Sequence, residues 1–155
     1  MRRRALAVVA VVIGVIGVMG VATACVDDGP SGRGAAGGCQ ATRIAMASIG
    51  FPEVAADTSG GTAYGLLFTT QPIRAGSEVK IVWRVTGTGL LSVVAADPSG
   101  AAHPLAWGPE LHGDSNWDRP GAEWGTGVVF DRPGCWHLRA AREGVQGDVW
   151  LDVAA

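Results

Sequence analysis

An all-β domain is what this sequence predicts, and three observations predict it. Short apolar stretches recur from Ala63 onward with period-two alternation. Clusters of Gly, Pro, Asp and Ser separate them. No stretch carries the 3.6-residue period of an amphipathic helix.

Taken in chain order, the first element is not part of the domain. Arg2, Arg3 and Arg4 precede an uncharged run from Ala5 to Ala24, which ends in Ala22-Thr23-Ala24-Cys25. A basic start, an apolar middle and small residues before a break mark a secretory signal. A cysteine directly after them resembles a bacterial lipoprotein processing box, so residues 1–24 are expected to be a signal helix and Cys25 the lipidated first residue. An apolar run of this length also suits an uncleaved anchor. The arginines on the N-terminal side give the same topology in both cases, with the remainder outside the cell membrane. Residues 25–38 then read as a lipid-attached, Gly-rich tether. The 13 residues from Val26 to Gly38 span about 20 Å r.m.s. as a flexible coil.

Residues 39–155 form the expected domain. Ala63 to Thr69 reads as a strand, and Pro72 and Gly76 punctuate the connection to the next one. In Glu78 to Thr86, Val79, Ile81, Trp83 and Val85 alternate with Glu78, Lys80 and Arg84, which puts the apolar set on one face. Gly87-Thr88-Gly89 supplies a reversal. Leu90 to Ala96 is nearly continuous in apolar residues and predicts a strand covered on both faces. Asp97-Pro98-Ser99-Gly100 stops it with type I turn residues. Further strands are expected at His103 to Trp107, Thr126 to Phe130, Cys135 to Ala141 and Asp148 to Val153, the last two joined as a hairpin through Glu143 to Gly147. Asp-Arg-Pro-Gly occurs at Asp118 to Gly121 and again at Asp131 to Gly134, where Pro-Gly suits a type II turn with positive φ at the glycine.

About seven short strands over roughly 100 residues predict an immunoglobulin-like, two-sheet antiparallel sandwich. The strings Ser115-Asn116-Trp117-Asp118-Arg119-Pro120-Gly121, Glu123-Trp124-Gly125-Thr126-Gly127 and Pro133-Gly134-Cys135-Trp136 resemble a family of uncharacterised secreted or lipid-anchored bacterial proteins. The resemblance spans roughly Ile73 to Val153. It implies a β-sandwich and brings no established activity.

Composition narrows the function classes. Without Arg2, Arg3 and Arg4, nine Lys and Arg stand against 14 Asp and Glu, a net charge of −5. Lys80 is the single lysine, and no basic cluster of the kind that displaces counterions from nucleic acid is present. With Cys25 lipidated, Cys39 and Cys135 are left as the intramolecular disulfide pair, which export permits. Closing so long a loop removes unfolded-state entropy worth about 4–5 kcal/mol in the chain-entropy model. No Cys-x-x-Cys or His-Glu-x-x-His occurs, and His103, His112 and His137 read as surface residues rather than as a metal site. No cofactor motif appears; Gly34, Gly37 and Gly38 precede no predicted helix. No catalytic residue is assigned.

The candidate contact surface is the connection Gly108 to Glu123, bordered by Trp107 and Trp124 and centred on Trp117. Asp114, Asn116, Asp118 and Arg119 lie between. Indole faces flanked by carboxylates and amides can stack on sugar rings and bond their hydroxyls, so Trp107, Trp117, Trp124, Asp114, Asn116, Asp118 and Arg119 form the candidate ligand set. The same tryptophans could instead pin a long loop to the sandwich. Trp83 and Trp136 are expected to face inward, and Trp150, out of phase with Val149 and Leu151, to face solvent or the opposite side of its sheet.

The sequence thus predicts a lipid-anchored extracytoplasmic module. It meets the membrane through Cys25 and a cell-envelope glycan or protein through the Trp-rich region. The competing readings are a small hydrolase or metal-dependent enzyme using Glu110, Asp114, Asp118 and Glu123, and a spacer or inhibitor of an extracellular enzyme.

Overall fold

The structure, a computed structural model, describes residues 38–113 and 115–155. The expected signal segment, Cys25, the tether up to Gly37, and Asp114 lie outside the described residues. Two antiparallel sheets pack around a shared core. Sheet A contains β1 (Ile44–Met46), β2 (Pro52–Ala55), β4 (Ala63–Phe68), β5 (Ser77–Val85), β9 (Ala122–Phe130) and β8 (Trp107–His112), in that order. Sheet B contains β3 (Asp57–Ser59), β11 (Val145–Val153), β10 (Gly134–Glu143), β6 (Thr88–Ala96) and β7 (Ala102–His103).

The period-two pattern of β5 explains the centre of sheet A. Val79, Ile81, Trp83 and Val85 are fully buried, and opposite them stand Val128, Thr126, Trp124 and Ala122. Trp136, Leu138 and Ala140 of β10 and Val149, Leu151 and Val153 of β11 close the core from the other sheet. Each fully buried large apolar side chain contributes roughly 1.5–3 kcal/mol relative to exposure. Trp83 meets its indole N–H requirement inside the core by donating to Thr126 Oγ1 at 2.9 Å.

Several expectations are corrected. Eleven strands replace seven among the described residues, because β1, β2 and β3 precede Ala63 and two strands, β7 and β8, stand where one was expected. β2 carries no alternation: Pro52, Glu53 and Val54 are all buried, since material covers both of its faces. The stretch His103 to Trp107 is a break between β7 and β8 rather than one strand. β6 is not covered twice. Leu91, Val93 and Ala95 are buried, whereas Leu90 and Val94 are 82% and 54% exposed because no layer lies over that part of sheet B. The β10–β11 connection shrinks to Gly144, whose φ of +78° provides the reversal. Trp150 does lie on the outer face of sheet B, but it is only 7% exposed, stacked on His137 at 4.5 Å between centroids.

Register gives the molecule two distinct ends. At the lower end lie Phe68 opposite Lys80, Ser77 opposite Phe130, and Gly134 opposite Val153. The segment Ile73–Gly76 ties the sheets together there, through Ala75 N to Ala154 O and Gly76 N to Phe130 O. The Cys39–Cys135 disulfide, with Cα atoms 5.1 Å apart, also sits at this end. The chain therefore enters the fold at the lower end, climbs beside β11 to Thr42, which accepts the Trp150 N–H on its hydroxyl, and crosses to sheet A as β1.

Candidate functional site

The two ends of the expected 16-residue loop are strand. β8 pairs with β9 through Leu111 opposite Trp124 and His112 opposite Glu123, so only residues 113–121 remain as a connection. That connection folds back over the outer face of sheet A. Its anchor is Trp117, 2% exposed and packed with Ala47, Leu66 and Val82, against which Ile49 and Tyr64 also lie. This is a second, smaller core on the far side of the sheet.

Two buried carboxylates hold the connection in place. Glu53 of β2 accepts the Trp117 indole N–H at 2.8 Å and two Arg119 bonds, from Nε at 2.9 Å and Nη2 at 2.5 Å. The bonded Arg119 guanidinium holds the Glu53 carboxyl below its ordinary pKa against the opposing effect of burial, and Trp117 adds to the lowering. Arg119 itself is raised by the same pairing. Its guanidinium also lies 5.0 Å over the Tyr64 ring.

Glu123, 4% exposed, gathers the root of the connection. Arg84 Nε donates to its Oε2 at 2.8 Å, His112 Nδ1 lies 2.9 Å from Oε1, and the Ser115 hydroxyl donates to Oε2. The order of contacts differs from a hydrolytic triad, in which the imidazole stands between hydroxyl and carboxylate. Here the carboxylate stands between Ser115 and His112, while Ser115 Oγ also accepts the Trp117 backbone N–H at 3.3 Å. Such a network positions backbone. Of the other carboxylates read as potential acid and base, Glu110 and Asp118 are exposed and Asp114 lies outside the described residues.

The candidate ligand set separates accordingly. Trp117 and Trp124 are buried and present no stacking face, Trp124 because it points into the main core, where Arg142 lies 5.9 Å over its ring. Arg119 is committed to Glu53. Asn116 and Asp118 are exposed between the anchors.

Trp107 differs from all of these. It is half-buried on edge strand β8, opposite Gly127. A Cβ added at Gly125 would lie 3.2 Å from its Cζ3, and one at Gly127 would lie 2.1 Å from its Nε1 and 2.5 Å from its Cδ1. The six-membered ring thus overlies one glycine and the five-membered ring the other. The indole lies flat on both glycines, of which Gly127 leaves no room for a side chain, and its Nε1 is fixed by Glu78 Oε1 at 2.7 Å. This gives the Trp124-Gly125-Thr126-Gly127 string a physical meaning: Trp124 and Thr126 face the core, and the two glycines seat Trp107.

Sequence reasoning missed a second feature, toward the opposite edge of the same sheet. Met46, Phe51, Pro52, Phe68, Thr69 and Gln71 line an open apolar groove of about 560 Å³ at the lower end of sheet A. Phe51 and Phe68 meet at 4.5 Å between centroids, and Lys80 Nζ lies 5.0 Å over the Phe68 ring. The available signal was the absence of charge from Ile44 to Pro52 and from Gly65 to Ile73. Among the described residues, no group of three or more His, Cys, Asp and Glu side chains is placed to hold a metal ion.

Comparison with protein-family models, with curated proteins and with solved structures finds no match.

Proposed function

We propose that this chain is an extracytoplasmic, saccharide-binding module of the cell envelope, held at the membrane by a lipid on Cys25. The observation that carries the reading is the Trp107 indole, laid flat on Gly125 and Gly127 and oriented by Glu78. A rigid aromatic face of this kind costs little further ordering when a sugar ring stacks on it. Glu110, opposite Gly125 on the same strand, offers carboxylate oxygens to sugar hydroxyls. The buried Trp117 and Glu53 keep the neighbouring connection fixed, so the platform's surroundings are ordered before binding. The two-sheet core supports an immunoglobulin-like domain, and the Trp-rich strings resemble secreted or lipid-anchored bacterial proteins of the same compartment.

The test is retention of the full chain on purified peptidoglycan sacculi and wall polysaccharide. Trp107→Ala should abolish retention while the chain stays folded and still unfolds in one cooperative transition. Retention that survives Trp107→Ala, or no retention of the parent, overturns the reading.

A further inference from the structure

We infer that the groove on the same sheet face as Trp107 takes an acyl chain of an anionic phospholipid with a sugar or cyclitol headgroup in the membrane leaflet, with the lipid phosphate at Lys80 and the headgroup ring on Trp107. The inference rests on the saccharide reading of Trp107 and extends it to a ligand class. Its basis is a single row across the outer face of sheet A. Trp107 stands opposite Gly127, Gly127 opposite Lys80, and Lys80 opposite Phe68. At about 4.8 Å between neighbouring strands, the platform, the cation and the groove succeed one another over roughly 15 Å. A sugar or cyclitol ring, a phosphodiester and an acyl chain are joined in that same order in a phospholipid with a polyol headgroup, such as phosphatidylinositol and its glycosides.

Charge supports each position. The groove is bounded by two uncharged segments, and Met46, Phe51 and Phe68 are 66%, 37% and 38% exposed. Lys80 is the single lysine of a chain that is acidic beyond its signal segment. Among the described residues no carboxylate forms an ion pair with it, and neighbouring Glu78 is engaged by the Trp107 indole.

The chain's entry point names the bilayer as the source. The described residues begin at Gly38 and the Cys39–Cys135 bridge, at the same lower end as the groove. Only 13 residues separate that bridge from Cys25, and a chain of that length extends at most about 50 Å. A lipid on Cys25 therefore keeps the groove within reach of the leaflet, where an acyl chain leaving the bilayer finds an apolar wall and a cation.

The test uses the full processed chain in nanodiscs. Met46 is the one methionine after the signal segment, so methyl-labelled methionine gives a single resonance, whereas an uncleaved chain shows three. Three lipid compositions serve as probes: phosphatidylcholine alone, and mixtures with phosphatidylglycerol or phosphatidylinositol, each with and without nitroxide-labelled acyl chains. The Met46 methyl should lose most of its intensity to the nitroxide with phosphatidylinositol, less with phosphatidylglycerol and least with phosphatidylcholine alone. Lys80→Glu should remove the dependence on headgroup, and Phe68→Ser, at a partly exposed position, should restore the signal.

An unresponsive Met46, an equal loss in all three compositions, or equality of the two anionic lipids overturns the inference. A methyl shielded by a second copy of the chain, seen as concentration dependence, overturns it too. The Trp107 indole N–H resonance reports the saccharide reading separately. If it moves with soluble wall oligosaccharide while Met46 stays silent to lipid, the groove inference fails and the platform stands. If neither moves, both fail.

Discussion

The indole N–H of Trp117 donates to Glu53 Oε2 at 2.8 Å, across 64 residues of sequence. That bond joins the middle of a surface connection to a buried carboxylate on β2, and Arg119 completes the charge balance. A tryptophan that looks like a recognition residue in the sequence is thereby the peg that fastens the connection to sheet A.

Trp117→Ala should lower stability by about 3–5 kcal/mol, because it empties a closely packed site and removes a bond to a buried charge. Trp117→Phe keeps most of the volume, leaves the donor missing, and should cost less, about 1–3 kcal/mol. Urea unfolding checks both. Hydrogen exchange of residues 115–121 should accelerate more in the alanine variant.

Acid should loosen the same clamp, and the direction of the shift sets the sign. Glu53 has a folded-state pKa below its ordinary value of 4.5, so the unfolded chain binds a proton first as pH falls. Its contribution to stability is present above 4.5 and is lost as pH drops through the lowered folded value. Asp148 behaves likewise: burial opposes its ionisation, and bonds from Arg139 and His137 more than offset that. Glu53→Gln should therefore be less stable at neutral pH and show a shallower fall in stability below 4.5. A variant with the parent's slope would show that the clamp is not what titrates. Unfolding measured at a series of pH values distinguishes the outcomes.

Gly127→Ala should displace Trp107. The new methyl would lie 2.1 Å from the indole nitrogen, so the ring must lift and its bond to Glu78 must break. A stability loss of about 1–3 kcal/mol is expected from the overpacking, with a red shift and quenching of the Trp107 component of the fluorescence. Gly76→Ala is the control. Its added methyl meets nothing within 4 Å, so the cost is confined to the φ of +83°, about 1–2 kcal/mol.

Replacing both Cys39 and Cys135 by alanine should reduce stability by up to about 4–5 kcal/mol through the unfolded chain's regained entropy. The bridge spans a sequence separation of 96. Chemical denaturation of parent and variant measures the difference. The same variant should leave the Trp107 environment unchanged, since the bridge sits on sheet B and the platform on sheet A.

Features that depend on neighbours along the chain were legible from the order of residues. The alternation around Trp83 placed four side chains of β5 in the core, and the turn residues Asp97 to Gly100 ended β6: Gly100 N bonds to Asp97 O at 2.8 Å. Trp83 and Trp136 face inward as their spacing requires, and with Cys25 set aside the remaining cysteines had only each other. Features that depend on what lies across a sheet emerged only from folding. β2 shows no period because both of its faces are covered, and β6 looks doubly buried although one face stays open. Trp107, Trp117 and Trp124 are alike in local sequence, yet one lies on glycines, one on a second core and one in the main core. Their roles were set by Gly127, by Glu53 and by the apolar side chains around Trp124, partners brought near only by strand pairing and by the packing of one layer on another.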